Sequence, residues 1–323
     1  MPISRPLVAV GSLGGTITMS PATGGVVSTL SAEELLRELT SGLAMDVRAT
    51  TLSMISSASL DLAALVRCHR WAVEQAADGI VVVQGTDTLE ETAYFFELTW
   101  PSEVPVVVTG AMRHPSLPSA DGPANLLGAL TVAAAATSRG RGAQVVLNDE
   151  IHQARWVHKA HTSRLDAFAS APAGPAGLIA EDAVHYFHLA DPRQPTLDPT
   201  AFTGTVPLFE AGLDDSGTLL DTVVAAGAAG VVIAATGAGH VSERLADAIE
   251  RALTSIPVVI ASRTGAGTTF RHTYGSRGSE SDLIAMGVTM AGWLSPRKAR
   301  ILLMLLLANG AEIEPEFRRR GEL

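Results

Sequence analysis

Apolar positions along this chain fall into short β-branched runs separated by stretches of helical periodicity. Leu7-Val8-Ala9-Val10 leads to a helix-like segment near 32–39 and a strand-like run near 47–52. A helix over about 62–77 precedes the run Ile80–Val83, a helix over 89–98 precedes 104–109, and a helix near 124–136 precedes 144–147. Such regular alternation predicts a mostly parallel sheet covered by helices on both faces. From about His188 the texture changes, and residues 190–199 hold three prolines, which reads as a connection between domains. Alternation resumes with strands near 230–234 and 257–261 and a helix near 242–253. The run Ile301–Ala308 follows Ser295-Pro296, a serine cap with proline at the first helical position. The predicted fold is therefore two α/β domains. A larger N-terminal one over 1–187 holds a mostly parallel sheet, 188–204 is the linker, and a smaller parallel one covers 205–323. No internal repeat is evident.

Two of these strands end in unusual chemistry. Val81-Val82-Val83 runs into Gly85-Thr86-Asp87-Thr88 just as a helix begins, and Val10 runs into Gly11-Ser12-Leu13-Gly14-Gly15-Thr16. Ligands of open α/β sheets bind at the carboxyl ends of strands, so two threonines and an acid are candidates for one crevice. Gly14-Gly15 would permit a tight turn and close approach of a substrate, although a glycine turn with Thr16 as a mere cap accounts for the same letters. The Gly-Ser-Leu-Gly-Gly-Thr spacing does not match a dinucleotide fingerprint. Asp87 likewise has a structural reading, since Thr86-Asp87-Thr88-Leu89-Glu90-Glu91 fits a capping box. One cap suffices, however, and three polar residues in a row exceed that need.

Bulk properties narrow the class. A hydrophobic content of 47% against 17% charged residues favours folded domains over disorder. The net charge of −10, with a basic run only at Arg318-Arg319-Arg320, argues against a nucleic-acid partner. Cys68 is the single cysteine, so no internal disulfide framework is possible. The run at 301–308 is too short to span a bilayer, and the N-terminus shows no secretory pattern. A soluble cytoplasmic protein without a membrane partner is expected.

Read as a strand, residues 154–162 place Trp156, His158 and Ala160 on one face and Arg155, Val157, Lys159 and His161 on the other. Lys159 would complete a relay with Thr86 and Asp87, the plain alternative being a solvated lysine. His152, His158 and His161 have neither helical nor zinc-cluster spacing, so no metal is expected.

Taken together, these segments resemble the bacterial-type L-asparaginase and glutaminase-asparaginase family. The resemblance rests on Gly14-Gly15-Thr16-Ile17, Gly85–Ala93, Gly110-Ala111-Met112-Arg113, Ala120–Leu126 and Lys159-Ala160-His161-Thr162. Ser262-Arg263-Thr264 and Gly292–Arg300 extend it through the C-terminal half. It implies an amidohydrolase that converts L-asparagine to L-aspartate and ammonia through a threonyl acyl-enzyme, with no cofactor. Thr16 matches the nucleophile, while Thr86, Asp87 and Lys159 match the second threonine and its relay. Asp87 also matches the acid that holds the substrate's α-ammonium group. Beside Asp87, Lys159 is read as a relay and electrostatic element rather than a free base, because an opposite charge favours the charged form. The family also implies self-association as a homodimer or homotetramer.

Departures bear on the substrate. The family places a tyrosine on the mobile loop after the first threonine. Residues 18–30 contain none, Val26 lies near the expected place, and Gly24-Gly25 suits a lid. The family's Ser-Gln-Asp becomes Ser57-Ala58-Ser59, which keeps Ser57 for the α-carboxylate but loses a glutamine contact. Glu280 is the candidate for an acid that reaches a neighbouring subunit's site, or else a helix-start acid favoured by the dipole. Other readings are an amidase acting on L-glutamine, D-asparagine or a β-amide, and a weakly active amino-acid-binding pseudoenzyme. The tRNA-dependent branch of the family fits less well, because it carries an extra N-terminal domain.

Overall fold

Uninterrupted apolar strands need cover on both faces, and the strands Gly79–Val83 and Ala143–Leu147 are buried at every position. The computed structural model describes residues 5–22, 25–28, 31–37 and 43–322. It forms two compact units that divide between Thr196 and Leu197.

In the first unit, five parallel strands lie side by side in the order Asp46–Thr51, Leu7–Ser12, Gly79–Val83, Val106–Thr109 and Ala143–Leu147. Three antiparallel strands, Glu150–Gln153, Gly177–Ala180 and Ala183–Tyr186, extend the sheet beyond the last of them. Helices Leu62–Glu74, Leu89–Thr99 and Gly122–Ala134 connect the parallel strands. One buried cluster joins Val8, Val10, Val81, Val83 and Val107 to Leu126, Leu130 and Val132 of the last helix.

The second unit repeats the logic with four parallel strands in the order Leu208–Glu210, Val231–Ala235, Val258–Ser262 and Thr289–Met290. Ser242 caps the helix Glu243–Ala252 through its Oγ, which accepts from Leu245 N at 3.1 Å. The helix Pro296–Asn309 starts as expected, with Ser295 as cap and Pro296 in the first turn.

The expected strand over 154–162 does not form. Trp156 N and Val157 N both donate to Gln153 O at 3.0 Å, which closes a turn, and the Arg155 guanidinium packs over the Trp156 ring. Only His158–Lys159 is extended, paired antiparallel with Phe168–Ala169 in a two-stranded ribbon. The segment expected to form a lid contains the hairpin Met19–Ala22 and Gly25–Ser28, in which Val26 pairs with Pro21. Gly24 and the end of the predicted helix at 38–39 lie outside the described residues. Among the described residues no helix is long and apolar enough to cross a membrane.

Candidate active site

Three adjacent parallel strands deliver three polar turns to one end of the sheet. Ser12 is in register with Thr51 on one side and with Val83 on the other, so Asp46–Thr51, Leu7–Ser12 and Gly79–Val83 end level. Beyond them lie the short 3₁₀ turns Ser57–Ser59, Thr16–Thr18 and Thr86–Thr88. This is the carboxyl-end position where open α/β sheets hold ligands.

Glycines let the turns touch. Gly14 and Gly15 adopt φ of 104° and 100°, a region closed to most side chains. A Cβ on Gly15 would lie 2.1 Å from Gly85 N and 2.4 Å from Gly85 Cα. A Cβ on Gly85 would in turn lie 2.6 Å from Ser57 Oγ. The Thr16 turn therefore rests directly on the backbone leading to Thr86, with Ser57 behind it. Ile17, 2% exposed, pins the first turn to the core, and its Cγ1 occupies the space that a side chain on Gly122 would need.

Around Thr86 the contacts are polar. Lys159 Nζ donates to Thr86 Oγ1 at 2.9 Å and meets Asp87 Oδ1 at 2.7 Å. The Lys159 side chain is only 16% exposed, whereas that of Asp87 is 63% exposed. The pair thus has a shielded cation and an acid that faces solvent. Ser57 Oγ, in a residue 2% exposed, accepts from Asp87 N at 3.3 Å, and Ser57 O accepts from Thr88 Oγ1 at 2.9 Å. The capping box did not form: Thr88 occupies the cap position of the helix Leu89–Thr99 without a side-chain cap. Instead Glu90, which is buried, accepts from Lys159 N at 2.9 Å and fixes the ribbon that carries the lysine. The sequence did hold a signal for Glu90, in an acid-rich stretch that supplies more carboxylates than a cap uses.

Asp121 was also missed. It accepts from Met112 N at 2.9 Å and Arg113 N at 2.8 Å, and Asn125 Nδ2 bridges Asp121 to Gly110 O. These bonds account for Gly110–Arg113 and Ala120–Leu126 as supports of the loop after Val106–Thr109.

The sheet end thus brings Thr16, Ser57, Thr86, Asp87 and Lys159 together; Glu280 is the remaining candidate. It lies in the second unit with no exposed surface, accepting from Thr273 N and Tyr274 N at 2.6 Å each and paired with His240 Nε2 at 2.9 Å. Burial pushes its carboxyl up, but the backbone N–H groups and the imidazole outweigh this and hold it below the ordinary glutamate range. These bonds make Glu280 an internal anchor of the second unit. The three histidines have separate partners. His152 meets Ser170 and Glu150, His158 approaches Trp156 O, and His161 Nδ1 accepts from Ser163 N and Arg164 N.

Comparison with known proteins gives the family of this chain. The asparaginase N-terminal family model matches residues 7–191, and the glutaminase/asparaginase C-terminal domain model matches residues 205–318. The probable L-asparaginase of Deinococcus radiodurans is 38% identical over 321 residues, covering 97% of each chain. L-asparaginase 2 of Bacillus subtilis is 36% identical over 325 residues, covering 96% of this chain and 83% of its own. The crystal structure of a probable cytoplasmic L-asparaginase from Campylobacter jejuni matches with a TM-score of 0.87 at 30% identity, over 97% of this chain and 99% of that one.

Proposed function

This chain belongs to the asparaginase family, and on that premise we propose that it hydrolyses the side-chain amide of L-asparagine to L-aspartate and ammonia. Thr16 Oγ1 attacks the amide carbon, the C–N bond breaks, and ammonia leaves with a proton delivered from the relay. Water then attacks the threonyl ester, the ester C–O bond breaks, and Thr16 is restored. The observation that carries this reading is the contact of Lys159 Nζ with both Thr86 Oγ1 and Asp87 Oδ1, beside the turn that bears Thr16. A hydroxyl needs such assistance to act as a nucleophile. The same lysine passes protons through Thr86 in both half-reactions. Backbone N–H groups of the abutting turns stabilise the oxyanion, a contribution of about 10²–10³ in rate for a single donor. Asp87, with its exposed carboxylate, takes the substrate's α-ammonium group, and the Ser57 hydroxyl takes its α-carboxylate.

A homodimer or homotetramer in the cytoplasm is the assembly we assign to it, with no nucleic-acid partner in view of the charge of −10. Light scattering on the eluting peak tests the assembly. The function is tested by ammonia release from L-asparagine, L-glutamine, D-asparagine and small β-amides, comparing wild type with Thr16→Ala. Turnover of L-asparagine that vanishes in the variant is the expected result. Silence across the panel refutes hydrolysis, and activity that survives Thr16→Ala refutes the nucleophile.

A further inference from the structure

A buried histidine that takes no part in this chemistry holds the other strand of the lysine's ribbon. Lys159 is in register with Phe168, and His158 with Ala169. The return strand runs directly into Ser170, which is 3% exposed and whose Oγ lies 2.9 Å from His152 Nδ1. His152, 1% exposed, belongs to the sheet strand Glu150–Gln153 and is in register with Val145. Its Nε2 lies 3.4 Å from Glu150 Oε2. Both ring nitrogens are therefore engaged, one on the sheet strand itself and one across to the ribbon.

Packing alone does not call for an imidazole here. A site this closed suits an aliphatic side chain, and burying a ring with two polar atoms costs free energy unless both are satisfied. What the imidazole adds is a directional bond to Ser170. A side-chain bond reaches each side of the ribbon: Glu90 accepts from Lys159 N, and His152 meets Ser170, the residue just past the return strand. Asp166, on the connection between the two strands, lies close enough to add to the burial that pushes the Glu150 carboxyl up. The ribbon, its connection and the Glu150–His152 pair thus form one polar cluster.

We propose that His152 is a positioning residue which, by holding Ser170, sets the reach of Lys159 Nζ to Thr86 Oγ1 and Asp87 Oδ1. This rests on the relay assigned to Lys159 above. The contacts at stake are 2.9 and 2.7 Å, so a shift of the ribbon by about 1 Å breaks both, and displacement of that size costs about 10²-fold in rate.

Ser170→Ala removes the bond with almost no change of volume, and His152→Leu removes it from the other side. His152→Asn keeps an amide able to reach the hydroxyl. The purified full chain is assayed for kcat and KM on L-asparagine, with Tm measured alongside, singly and in the Lys159→Met background. The expected result is a fall in kcat of about 10- to 100-fold for Ser170→Ala, with KM little changed. His152→Asn should recover activity relative to His152→Leu. In the Lys159→Met background Ser170→Ala should have no further effect, because the group it positions is gone. A wild-type kcat for Ser170→Ala overturns the proposal. So does an equal fold-loss with and without Lys159, which is the signature of a general structural defect. If Lys159→Met itself retains wild-type kcat, the relay reading fails and this proposal falls with it. Absence of any asparagine turnover in the wild type refutes the function instead.

Discussion

Replacing Lys159 by Met separates chemistry from stability more cleanly than any other change at this site. The substitution keeps an unbranched stem in the same space and deletes the ammonium, with its contacts at 2.9 Å to Thr86 Oγ1 and 2.7 Å to Asp87 Oδ1. The Asp87 side chain is 63% exposed, so water screens the ion pair, and pairs of this kind are worth about 0–1 kcal/mol. For a domain the size of the first unit, that loss lowers Tm by roughly 2–4 °C at most. The loss of proton transfer is of a different order, about 10²–10⁴ in kcat. Calorimetry and a steady-state ammonia assay on the same preparation give both numbers. A kcat within about threefold of wild type would remove Lys159 from the reaction, since it lies far below the range for general acid–base catalysis. A fall in Tm beyond about 10 °C would show that the cation holds the fold, contrary to the screening argument.

Two further outcomes follow from the same geometry. Gly15→Ala places a methyl 2.1 Å from Gly85 N in a residue at φ 100°, so the Thr16 turn must move off the Thr86 turn. We expect kcat to fall by about 10²-fold or more, and a wild-type rate in the ammonia assay would refute the close contact. Glu280 is held below the ordinary glutamate range in the folded protein, so its stabilisation is full above that range and is lost as pH falls through the lowered folded value. Thermal unfolding followed from about pH 6 down to about pH 3 should therefore decline less steeply for Glu280→Gln than for wild type. Equal slopes would argue against the Glu280 anchor.

Elements of this chain differ in how much of their structure is written locally. The β-branched runs at 80–83 and 106–109 are legible because a strand buried on both faces needs an unbroken apolar stretch. The strands Glu150–Gln153 and Ala183–Tyr186 escaped the same test because they include charged and polar residues and show no comparable run. Ser295-Pro296 predicted a helix start because capping is a local bond. The capping box at 86–91 misled for the complementary reason. Lys159 lies 69 positions beyond Glu90 yet takes its carboxylate, and a long-range partner outcompeted the local one.

Local order along the chain thus settled the two α/β units and pointed to the candidate site residues, since strand periodicity, turn glycines and a run of hydroxyls with an acid are short-range properties. Which of these residues meet was a tertiary matter. Level register of three parallel strands brought Ser57, Thr16 and Thr86 to one edge, and the absence of side chains at Gly15 and Gly85 let the turns close. The Glu90 bond to Lys159 N then fixed the ribbon that carries the lysine, while Glu280 found its partners inside the second unit. Those outcomes depend on competition among distant donors and acceptors for the same partners, a contest that is decided only when the chain is folded.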